Sequence, residues 1–442
     1  MGNDTHTPAG GYRGLDFVLI AVIFALMGAF FWAIRGTGGY GGAMGGTLAG
    51  LGWAMLWHGF SRLGGAGRQR PHGMGAMIAA ITLGIAAGGL TGYGVYSAWI
   101  RGEFYLDYPD GVRSIAPWTG LAMMFFCGLH WGGVTGVFMG WCAPDKRANL
   151  MAWGGRILGG VAGAVLAGII VRVFPHWFLP FYGEGIYQNP DNATCIRAVG
   201  SIRNIAPHVG AYLGFLVAEL VRKDRRAAGM MLLMGLGFAI PFSVGGLWHA
   251  ARGSSWDLPF WKFWEMSIGG GGGLAFGLAF YLFNRPVPDA PPHRVTWNER
   301  IWPVAVVVSL AVTITVTNAY AGFINLHGLE WPAGVRVLIT LGCLFAVEAA
   351  FTLWFVRTRM FLNDERSLHS GALMPGWIPL AVLALIVVAG YLVSVPGELQ
   401  HKNWVLLPLY TLYIVVSIAV AGVLAARRPP NEKNRHANRR PS

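Results

Sequence analysis

Apolar runs about the length of a membrane-crossing helix, nearly free of charge, recur along the whole chain. A bilayer's hydrocarbon core needs about 20 apolar residues of helix. Such runs lie near 15–34, 39–60, 74–100, 117–142, 156–174, 208–220, 228–250, 263–283, 302–326, 333–356, 377–395 and 403–425. The sixth is short. The pattern predicts an all-α, polytopic integral membrane protein of about twelve transmembrane helices. The first run is too long, and lacks the small-residue cleavage site, for a removable signal peptide, so a retained span is expected there.

The polar positions between the runs set an orientation. Most of the 33 Lys and Arg residues fall in alternate connections: Arg62, Arg68 and Arg70; Lys146, Arg147 and Arg156; Arg222, Lys223, Arg225 and Arg226; Arg285, Arg294 and Arg300; Arg357, Arg359 and Arg366; and the tail after Arg427. By the positive-inside rule this places both termini in the cytoplasm and the protein in the cell inner (plasma) membrane.

Glycine divides the chain. Only nine of the 65 glycines lie after Arg285. The others form rows at every fourth position: Gly38, Gly42, Gly46, Gly50; Gly84, Gly88, Gly92; Gly128, Gly132, Gly136, Gly140; Gly269, Gly273, Gly277. Each row leaves a smooth face on which a second helix backbone can come close. We therefore expect a Gly-rich core over 1–285, eight helices arranged as four hairpins, and a four-helix C-terminal bundle over 286–426. A basic tail, 427–442, is expected to lie disordered against anionic headgroups. Three hairpins carry a similar phrase at the turn, pairing Trp32 with Arg35, Trp99 with Arg101 and Trp248 with Arg252, which suggests a repeated unit. The Gly-poor C-terminal helices are the expected contact surface of a homo-oligomer.

Composition narrows the function classes. Charged residues make up 12% of the chain and hydrophobic ones 54%, against about 25% charged in soluble domains. The net charge of +13 is mostly orientation charge and does not imply a nucleic-acid partner. The four cysteines form neither a disulfide framework nor a metal-site spacing. No nucleotide-binding glycine loop and no His-Glu-x-x-His motif is present, so neither a cofactor nor a metal is expected.

Candidate chemistry rests on the few polar groups near or inside the runs. Arg35, Arg101, Arg197, Arg203 and Arg252 lie at or near exoplasmic helix ends, where orientation disfavours cations. Converging guanidiniums, with helix N-termini beside them, would bind a carboxylate, sulfate or phosphate. Trp131 and Trp248 are candidate stacking walls, although most of the 19 tryptophans are expected in interfacial belts. Glu348, His130, His249, Glu265 and Asp257 form a second tier, a polar core or proton-coupling set.

The reading is a transporter or permease for a small anionic solute, an organic acid or acidic sugar. The alternatives are an intramembrane transferase acting on a lipid-linked substrate, with His130, His249, Asp257 or Glu265 as base, and a non-catalytic membrane assembly subunit.

Overall fold

The computed structural model describes residues 14–37, 42–62, 76–90, 92–142, 144–251, 256–284 and 403–426, with isolated positions at 332, 335 and 342. These residues are predominantly helical. The helices are α1 (Gly14–Thr37), α2 (Gly42–Arg62), α3 (Ala76–Gly88), α4 (Tyr96–Ile100), α5 (Pro117–Cys142), α6 (Leu150–Val173), α7 (Ala193–Arg222), α8 (Arg225–Val244), α9 (Phe260–Phe283) and α10 (Asn403–Ala426). Strands β1 (Glu103–Asp107) and β2 (Asp110–Ser114) form an antiparallel hairpin between α4 and α5. Seven of the described helices are long and apolar enough to cross a membrane: α1, α5, α6, α7, α8, α9 and α10.

Six elements close into a ring. α1 packs on α9 and α2, α2 on α3, α3 on α5, α5 on α8, and α8 returns to α9. Aromatic rings meet inside it: Trp32 of α1 touches Trp53 of α2, Trp131 of α5, and Phe238 and Phe242 of α8. Phe276 of α9 packs at a tilt against Trp53, with centroids 4.9 Å apart. Of the ring helices α2 is the most enclosed, buried at every position from Gly45 to Phe60. Trp32, Trp53, Trp57, Trp99, Trp131 and Trp264 are among the largest fully buried side chains. These indoles are core: Trp131 was a candidate stacking wall, and interfacial belts were the expectation for most tryptophans.

Glycine sets the closest helix contacts. In α5, a Cβ on Gly128 would stand 2.6 Å from the Phe238 carbonyl oxygen, and one on Gly132 would collide with the Met234 carbonyl. Gly269 meets Gly28 at the α1–α9 crossing in the same way. The absence of bulk lets backbones approach, with dispersion and lipid entropy holding the pair. α6 and α7 also cross on glycines, Gly159 against Gly214 and Gly163 against Gly210. This pair sits outside the ring, joined to it through α7 and through the contact of Trp153 on α6 with Trp141 on α5, and most of the α6 surface is exposed and apolar. α10 lies on α1, with Tyr410 beside Phe30 and the Tyr413 hydroxyl beside the Met266 sulfur.

Two runs differ from their expected form. The run at 74–100 is broken: α3 ends at Gly88, an irregular stretch follows, and α4 adds only five residues. Glycines at 88, 89, 92 and 94 weaken the helix there. The short sixth run belongs to a helix of 30 residues, so Arg197 and Arg203 stand on α7 and not in a connection.

Candidate functional site

The site assembles at the end of the ring where α1 stops and α9 begins. Arg35 occupies the last turn of α1, a position favourable to a cation because the helix carbonyls point that way. Its guanidinium carbon lies 4.1 Å from the Trp32 ring centroid and 5.6 Å from that of Trp131. All three side chains are buried, Arg35 to 2% residual exposure. Tyr93, from the break after α3, brings its hydroxyl against Arg35, and the Glu265 charge also acts on that hydroxyl. The Tyr93 ring packs on Phe242 and Trp264.

The break gives this arrangement its shape. Because α3 stops at Gly88, Tyr93 can turn toward α1, and a Cβ placed on Gly94 would stand 3.6 Å from the Arg197 guanidinium on α7. Tyr96 then donates its hydroxyl to the Ala198 carbonyl at 3.3 Å, which ties the broken segment to α7. Tyr93 is half-buried and Gly92 exposed, so this segment lies between Arg35 and the surface.

Charge in the site is unbalanced. Glu265 is ion-paired with Lys262, and Lys262 also donates to the Ala33 carbonyl at 3.2 Å. Arg35 has no carboxylate partner among the described residues. Its Nε and Nη2, together with Nε1 of Trp32 and Nε1 of Trp131, are buried donors without an acceptor there. An unsatisfied buried donor costs about 1–3 kcal/mol, and more when charged. Three mutually touching residues thus present only N–H groups to one another. Chemically, such a donor set is the complement of an anion's oxygens.

The other predicted residues separate. Arg101 pairs with Glu103 at 2.7 Å, and Tyr105 donates to the same carboxylate at 2.8 Å. Burial pulls the Arg101 pKa down, but its bonds to Glu103 and Tyr105 outweigh that and raise it. The Glu103 bond likewise raises the Tyr105 phenol. Arg197 and Arg203 are exposed on α7, and Arg252 lies outside the described residues. Trp248 is exposed and donates to the Ser267 hydroxyl at 3.0 Å. His249 packs on Trp261 and Trp264, and Asp257 is exposed ahead of α9. His130 stacks on His208 with centroids 4.8 Å apart. Glu348 lies outside the described residues. Arg35, Trp131 and Glu265 therefore share one neighbourhood, and the five arginines do not share a vestibule among the described residues.

Sequence reasoning missed Tyr93 and its role. The density of glycine across 88–94 was the available signal. It also missed Glu219, buried on α7, which holds Arg156 and accepts from Arg222 at 2.7 Å and from the Trp141 indole at 3.1 Å. Fold and composition define the class: an all-α, multi-pass membrane protein. No family model, curated protein or solved structure matches the chain.

Proposed function

We propose that this chain is a transporter or permease for a small anionic solute, an organic acid or an acidic sugar, bound at Arg35. The observation that carries the reading is the set of buried N–H donors on Arg35, Trp32 and Trp131, in contact with one another and without an acceptor among the described residues. A bound carboxylate or phosphate oxygen would satisfy them with charge-assisted bonds. The walls of indole and phenol rings suit a flat or ring-shaped anion. Substrate would enter past the broken segment at Tyr93, since discontinuous helices are where membrane transporters bind polar solutes. The transferase alternative would use Glu265 as a base, and its carboxylate is engaged by the Lys262 ammonium.

The same reading places about twelve spans in the cell inner membrane, with both termini cytoplasmic and the Arg35 end facing outward. Glu348 is assigned to proton coupling and the C-terminal helices to homo-oligomer contact.

Counterflow in proteoliposomes tests the assignment, with labelled lactate, glucuronate, phosphate and sulfate as probes. Saturable exchange of at least one is expected. Arg35→Gln should reduce it at least about tenfold, the value of one lost charged hydrogen bond, while Arg101→Gln leaves it intact. Exchange of none of the four, or exchange indifferent to Arg35→Gln, would count against the reading.

A further inference from the structure

The outer face of the α6–α7 pair carries a groove of about 510 Å³ that the transport reading does not use. Its walls are Met151 and Leu158 from α6 and Val217 and Val221 from α7, its floor is the glycine contact of Gly159 with Gly214, and Gly155 lines it beside that contact. Polar side chains line it at one end alone, Asn149 and Arg222. From Asn149 to Ala162 it runs about 20 Å along the helix. That is about half of the roughly 40 Å a bilayer spans with its headgroups.

The polar end is cationic. Arg156 and Arg222 share the single Glu219 carboxylate, so the buried cluster keeps one net positive charge. Lys146 adds another, its ammonium donating to the Arg222 carbonyl at 2.7 Å while its side chain stays exposed. Asn149 caps α6 at the same place, where the helix dipole adds positive potential. Apolar length with one cationic end is the shape of an acyl chain below a phosphate. We propose that this groove is a site for one anionic phospholipid, its phosphate at Lys146 and Arg222 and one acyl chain along Leu158, Ala162 and Val217.

Glycine makes the test selective. A Cβ on Gly155 meets nothing within 4 Å, and the same holds for its neighbour Gly154, which does not line the groove. Gly155→Phe therefore fills the groove without a backbone clash, and Gly154→Phe is its control. The full chain would be purified in detergent, and co-purifying lipid quantified by mass spectrometry against the bulk membrane extract. Phosphatidylglycerol should be enriched over phosphatidylethanolamine by roughly fivefold for each surface cation engaged. Enrichment should be lost in Gly155→Phe and kept in Gly154→Phe. Lys146→Glu, an exposed change that leaves the groove open, should abolish the preference for anionic lipid while total bound lipid stays constant. Headgroup composition equal to the bulk extract overturns the proposal. So does enrichment indifferent to both Gly155→Phe and Lys146→Glu. A change of oligomeric state in Gly155→Phe with unchanged lipid would assign the groove to a second copy of the chain.

Discussion

A guanidinium enclosed by indoles gains about 0.5–2 kcal/mol from their π faces, yet that attraction satisfies none of its N–H groups. Among the described residues, Arg156 and Arg35 sit in such surroundings and differ in one respect. Arg156 lies 5.0 Å from the Trp141 ring and 4.5 Å from the Trp153 ring, and it is paired with Glu219. Arg35 has the rings and no carboxylate among the described residues. The first arrangement holds α5, α6 and α7 together; the second leaves binding capacity unused. Removing Glu219 would strand a buried charge, so Glu219→Ala should cost about 3–5 kcal/mol, read as a lower unfolding midpoint in detergent, with Glu219→Gln milder. An unchanged midpoint would show that the network carries no stability. At this scale the sequence was partly legible. Arg35 and Trp32, three residues apart on one helix, announce a shared face. Tyr93 did not, because an aromatic residue inside an apolar run carries no sign of its partner. Tryptophan burial was equally hidden, since the same residue type serves belts and cores.

Among the helices, every-fourth glycine foretold close approach but not the neighbour approached. A smooth face accepts any helix that presents backbone, and the two most extensive pairs, α1 with α9 and α5 with α8, join helices far apart in the chain. Hairpin proximity was the natural expectation for short connections, and α6 with α7 shows it. The break after α3 escaped notice because membrane helices tolerate glycine, so composition alone does not distinguish a packed helix from an interrupted one. The glycine contacts make a sharp forecast. Gly132→Ala places a methyl group against the Met234 carbonyl and should lower the unfolding midpoint, whereas Gly154→Ala, with open space around it, should leave it unchanged or slightly raised. Equal effects of the two substitutions would mean that the α5–α8 contact is not limiting.

At the scale of the molecule, the ring and its aromatic interior bury Arg35, Trp32 and Trp131 among the described residues, so exchange of a solute there would involve movement of the surrounding segments. The described positions 89–90 and 92–95 are suited to it, being non-helical, glycine-rich and exposed at Gly92. The apolar character and multiple spans of the molecule were readable from hydropathy, because a bilayer demands them of any chain that crosses it. Ring closure was not, since it depends on which glycine faces meet. The central claim is that Arg35 is kept for an anion and not for the fold. Thermal unfolding of the purified protein, with and without lactate, glucuronate, phosphate or sulfate, tests it in wild type and Arg35→Gln. The account predicts that at least one anion raises the wild-type midpoint, that none raises the variant's, and that the anion-free variant is no less stable than wild type. A variant clearly less stable than wild type, with no anion shifting either protein, would contradict it.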